Sequence, residues 1–134
     1  MIIRRMKTLE KCIHLPEGPP CHVVLTRYSN NKVLVVVSNT GTFGSIVHAE
    51  KESSLRGGVT YNVSMALGDR NDSAPELCAR MVLESAGKTW GGETVFPSFV
   101  FCLGIQRQCL IHKQNLRTIA EHIVSDLHGL YTNI

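Results

Sequence analysis

Six histidines and five cysteines are the residues of this 134-residue chain whose types could support metal binding or nucleophilic chemistry. Cys12, His14, Cys21 and His22 form the local cluster of four, where a hairpin could bring them together. Zinc sites are usually built from two tight Cys or His pairs, each spaced by two to four residues. This cluster departs from that pattern, so no metal is expected. His122 and His128 are six positions apart, which sets them roughly 240° apart around a helix, too far round to share one ion. A cysteine nucleophile needs a base beside it in space. Sequence alone does not place one, and Cys78 and Cys102 sit in apolar segments that read as core. No Cys-x-x-Cys pair occurs, and isolated cysteines of this kind read as reduced.

Other chemical motifs fail in the same way. Gly87-Lys88-Thr89 has the ending of a phosphate-binding loop, but the leading glycine of that motif would fall at Val82. The triplet also closes a helix, where carbonyls rather than N–H groups point outward. No G-x-S-x-G nucleophile elbow occurs, and the acidic residues form no compact pair for general acid–base work. Asn62-Val63-Ser64 and Asn71-Asp72-Ser73 match a glycosylation pattern but read as chance matches. No enzyme signature survives, and no cofactor is expected.

The composition fits an ordered domain: 43% hydrophobic and 19% charged residues, with a net charge of +3. The length suits a single domain over residues 1–134. No apolar run approaches the ~20 residues that span a bilayer, so no membrane partner is expected. Met1-Ile2-Ile3 precedes Arg4-Arg5-Met6-Lys7, the reverse of a secretory signal, and the expected location is cytoplasmic. Arg4, Arg5, Lys7 and Lys11 contain no interleaved aromatics. Residues 1–6 therefore read as a flexible, solvated basic tail, not a nucleic-acid site.

Strand-like segments dominate the first half. Lys7 to Leu15 reads as a weak first strand, stopped by Pro16-Glu17-Gly18-Pro19-Pro20. Cys21 to Ser29 is a second, turning at Asn30-Asn31 into Val33–Val37, whose β-branched, two-sided apolar run predicts a central strand. Gly41 and Gly44 bracket a turn before a strand over Ser45 to Glu50, and the charged stretch Lys51 to Gly58 reads as a loop. Val59 to Leu67 alternates cleanly, with Thr60, Asn62, Ser64 and Ala66 forming a small, uncharged face. Ser73-Ala74-Pro75-Glu76 predicts a helix start with a serine cap, and Gly87 a helix stop. Phe99 to Ile105 is a buried strand. Leu116, Ile119, Ala120, Ile123, Val124 and Leu127 form the stripe of a last helix, closed by Gly129. The predicted class is α+β: an antiparallel, sandwich-like sheet of about six strands with two amphipathic helices packed on it.

The run from His22 through Tyr28-Ser29-Asn30-Asn31-Lys32 to Val37, then Gly41, Gly44, Ile46-Val47 and Glu50, resembles the proteasome assembly chaperone 3 family. Val59-Thr60 to Ala66-Leu67-Gly68 resembles that family's next strand and its exit turn, and the later elements follow in the same order. The resemblance implies a non-enzymatic chaperone with a sheet-and-helix domain, acting as a dimer. The implied partners are proteasome α-type subunits, held while the α-ring assembles, and a second small chaperone (chaperone 4-like) or a second copy of this chain. Some other proteasome chaperones dock by a terminal hydrophobic-Tyr-x tail, but Leu130-Tyr131-Thr132 is followed by Asn133-Ile134.

Within that reading, Thr60, Asn62 and Ser64 are the expected dimer or sheet contact, because interface centres are poor in charge. Lys51, Glu52 and Arg56 are the expected client contact, on a charged loop with glycines that let it move. The alternative from another class is a small-ligand or thiol enzyme on the same domain. It requires a deep pocket with converging polar groups around Cys12, His14, Cys21 and His22.

Overall fold

The computed structural model describes residues 7–53, 55, 57–90 and 96–132. The basic tail over residues 1–6 and Arg56 lie outside the described residues. The strands are β1 (Lys7–Ile13), β2 (Cys21–Tyr28), β3 (Lys32–Ser38), β4 (Ser45–Ser53), β5 (Val59–Leu67) and β6 (Ser98–Gly104). The helices are α1 (Ala74–Thr89), the single turn α2 (Arg107–Leu110) and α3 (Lys113–Thr132).

The six strands form one sheet in the order β1-β2-β3-β6-β4-β5. Four of its five pairings are antiparallel; β3 and β6 run parallel, with Val33 beside Phe99 and Val37 beside Leu103. Parallel neighbours tend to carry unbroken apolar runs. The parallel pair here joins the two such runs, Val33–Val37 and Phe99–Leu103. The Asn30-Asn31 hairpin forms as its residue types allow: Asn31 adopts φ 60° and its N–H donates to the Tyr28 carbonyl at 3.2 Å.

The second layer is helical. At the middle of the sheet, strand residues that point toward α1 and α3 are sealed: Val23, Leu25, Val35, Val37, Val47 and Phe101 are all 0% exposed. They meet Ala79, Val82 and Leu83 of α1, and Leu116, Ile119, Ile123 and Leu127 of α3, in one core. Five of the six residues in the predicted α3 stripe are these four and Ala120, all buried, and Val124 packs at the margin. Burying an aliphatic or aromatic side chain of this size stabilises by about 1.5–3 kcal/mol.

Local details differ from the sequence reading for identifiable reasons. Ser73 makes no capping bond; Asp72 Oδ1 instead accepts from the Ala74 N–H at 3.1 Å. Gly87 does not stop α1, which continues to Thr89. Its missing side chain makes room for the Tyr61 hydroxyl, which a Cβ at position 87 would strike. Gly129 likewise lies inside α3. Lys51 and Glu52 are not in a loop, because β4 runs on to Ser53 to match the full length of β5, with Ser53 opposite Val59.

Candidate partner-binding face

Side chains alternate across a strand, so the residues between the sealed positions point away from both helices. On β2, β3 and β6 these are Val24, Thr26, Leu34, Val36, Val100 and Cys102. Thr26 is 8% exposed, and the other five are half-buried. Ile46 of β4, opposite Cys102, extends the stripe. The centre of the uncovered face is therefore apolar.

Polar groups flank it on both sides. On the β4–β5 side, register places His48 opposite Ser64, Glu50 opposite Asn62 and Glu52 opposite Thr60. Asn62 Nδ2 donates to Glu52 Oε1 at 3.4 Å. Lys32, His48, Glu50, Asn62, Ser64 and Ser98 border an open hollow of about 320 Å³. On the β1–β2 side, His22 Nε2 and Glu10 Oε1 are 2.6 Å apart, both well exposed. A second open hollow of about 560 Å³, mainly apolar, lies among Cys12, His22, Val36, Ser38 and Phe43, the last 50% exposed.

The residues singled out from the sequence separate onto two surfaces. Thr60, Asn62 and Ser64 lie on the uncovered face, all exposed, and Glu52 joins them. Lys51 points the other way, its Nζ 5.4 Å from the centre of the Phe96 ring on the helix side. The residues that sequence reasoning missed are Leu34, Val36, Val100 and Cys102. The signal was present: Val33–Val37 and Phe99–Ile105 are apolar on both sides, yet two amphipathic helices can cover only one face of six strands.

The thiol cluster does not converge. Cys12 and His22 are cross-strand neighbours on the uncovered face, whereas Cys21 is buried on the helix side and His14 is exposed beyond β1. Burial pushes the Cys21 thiol up to about 11, with the nearby Cys109 and Cys12 thiols adding to the rise. Burial holds Cys78 up at about 12. Such thiols stay protonated, the opposite of an activated nucleophile. Among the described residues, no group of three or more His, Cys, Asp or Glu side chains gathers closely enough to hold a metal. No described helix is long and apolar enough to cross a membrane.

A single α+β layer pair with one bare sheet face defines a class of domain that other proteins share. A chain from the crystal structure of a chaperone complex for yeast 20S proteasome assembly superposes with a TM-score of 0.63 at 16% identity, covering 94% of this chain and 99% of that one. At that identity the likeness is one of fold. The sequence itself carries the family: the proteasome assembly chaperone 3 model matches residues 35–125, and the chain belongs to that family. No curated protein sequence matches it.

Proposed function

We propose that this chain is a non-enzymatic, cytoplasmic chaperone that works as a dimer and holds proteasome α-type subunits while the α-ring assembles. One observation carries the dimer: the apolar centre of the sheet, Leu34, Val36, Val100 and Cys102, has no cover from the chain's own helices. A specific interface needs about 800 Å² from each partner, and six strands offer a face of that order. The occupant is a second small chaperone of the chaperone 4 kind or a second copy of this chain. Thr60, Asn62 and Ser64 are the uncharged members of its polar rim, beside Glu50 and Glu52.

The client contact is assigned to Lys51, Glu52 and Arg56, at and beyond the end of β4. Lys51 and Glu52 sit on opposite sides of the strand end, so a client reaching both must grip the β4–β5 turn rather than lie on one face. The chaperone would act by stabilising one arrangement of subunits and excluding others.

Affinity capture of the tagged chain from its own cells, with mass spectrometry of the bound proteins, tests the reading. Capture of α-type subunits and a small partner chaperone, with few mature β-type subunits, is the expected result. Loss of the partner on Val36→Asp, with secondary structure intact, would place the dimer contact on the bare face. Unchanged α-subunit capture after joint alanine substitution of Lys51, Glu52 and Arg56 would remove the client assignment.

A further inference from the structure

Open strand edges are pairing templates, and proteins guard them with charge, proline or bulges. The two edges of this sheet are guarded very differently. β1 carries Lys7, Glu10 and Lys11 among its 7 residues. β5 has 9 residues, Val-Thr-Tyr-Asn-Val-Ser-Met-Ala-Leu, and none is charged or proline. Its one irregularity lies at the far end, opposite Ile46 and Val47.

Among the described residues, one side-chain hydrogen bond reaches the outward backbone of this edge. Arg80 of α1, itself exposed, donates from Nη1 to the Tyr61 carbonyl at 3.2 Å. That bond also sets the phase of the strand, because the Tyr61 carbonyl must point away from β4. In an antiparallel ladder, inward and outward groups alternate. Tyr61, Val63 and Met65 therefore turn their N–H and C=O groups outward, while Asn62 and Ser64 bond to β4.

We propose that β5 pairs antiparallel with β5 of a second copy about a two-fold axis at Val63. This register keeps Tyr61 to Met65 paired throughout and stops short of the irregularity. Val63 meets the partner's Val63 and Tyr61 meets the partner's Met65, two apolar pairs on the helix side. Asn62 meets the partner's Ser64 on the other side, amide against hydroxyl. No like charges face each other, and every outward-facing residue meets another. The strand complements its own reverse, which names a second copy of this chain as the occupant. Pairing in the plane of the sheet leaves the bare face uncovered, so this contact is independent of the dimer proposed above. Arg80 must swing off the Tyr61 carbonyl, which makes it a brake on pairing.

Amide hydrogen exchange on the purified full chain, dilute and concentrated, tests the proposal. Concentration should slow exchange at Tyr61, Val63 and Met65 by at least about tenfold and leave Asn62 and Ser64 unchanged. Val63→Pro removes an outward N–H without touching the ladder to β4, and should abolish the slowing. Arg80→Ala should move it to lower concentration. Free exchange at Tyr61, Val63 and Met65 at every concentration overturns the proposal, whether or not the chain dimerises, because a contact on the bare face protects none of these outward amides. A foreign strand as the true occupant would give that same overturning result. If Val63→Pro does not fold, the wild-type amides and Arg80→Ala still decide.

Discussion

The two faces of the sheet are made from the same kinds of residue and end in different states. Val35 and Val37 are sealed beneath the helices, while Leu34 and Val36, their immediate neighbours, are only half-buried. Nothing in the β-branched sequence of β3 separates the two sets. What separates them is the placement of α1 and α3, whose apolar stripes suffice for one face. The lesson is that a strand apolar on both sides reports a need for two covers, and the chain supplies one. The other falls, in the function proposed above, to a partner.

The contrast can be broken hardest from the sealed side. Phe101→Ala, which empties a position stacked on Phe99 with ring centres 5.6 Å apart, should cost about 3–5 kcal/mol in denaturant unfolding. A loss similar to that of a surface substitution would mean that the core is not where it is described. Gly87→Val tests the seam between β5 and α1 and should cost about 1–3 kcal/mol, because the Tyr61 hydroxyl has to leave its seat. Joint substitution Gly87→Val and Tyr61→Phe should recover part of it.

From the bare side the effect should fall on association. Val100→Asp should change the unfolding free energy of the isolated chain by less than about 1 kcal/mol, while sedimentation shows loss of the dimer. A large drop in monomer stability with association intact would erase the distinction between the faces. Thiol labelling sharpens the same comparison. Cys12 should react first with a disulfide reagent, Cys21 and Cys78 only on unfolding, and Cys102 should slow when a partner covers the bare face.

Alkaline pH gives a graded version. Cys21 and Cys78 hold their protons more tightly folded than unfolded, so their contribution is intact below about 9, the ordinary thiol value, and declines as pH rises toward 11 and 12. Unfolding free energy should therefore fall above pH 9, by at most about 1.4 kcal/mol per pH unit for each thiol. Cys21→Ala with Cys78→Ala should flatten that limb. The smallest effect is reserved for the exposed Glu10–His22 pair: His22→Ala should shift stability by about 0–1 kcal/mol, read by thermal melting.

Much of the fold was legible in the sequence, since alternation in Val59–Leu67 and the stripe from Leu116 to Leu127 each express a single periodicity. Element ends were harder to read. Gly87 and Gly129 look like stops because glycine is common there, but Gly87 answers to a tyrosine from a distant strand. The parallel β3–β6 pair was hidden because strand order depends on which gap a late strand enters. For the candidate site, the polar residues Thr60, Asn62 and Ser64 stood out by their alternation. The apolar Val36 and Val100 did not, because a sequence marks them as apolar without saying which face is covered.

The insertion of β6 between β3 and β4 also has a consequence for how the chain is made. Strands three and four are consecutive in sequence yet never touch as neighbours; the place between them is filled only by residues beyond α1. A ribosome releases the chain from its N-terminus, so β1 to β3 and the β4–β5 hairpin emerge as two separate pieces with facing, unsatisfied edges. Only when Ser98–Gly104 has cleared the exit tunnel can one strand close both ladders at once. Long-range closure of this kind is slow relative to local pairing. The nascent protein thus spends its synthesis as a divided sheet, and its own assembly waits on a keystone strand.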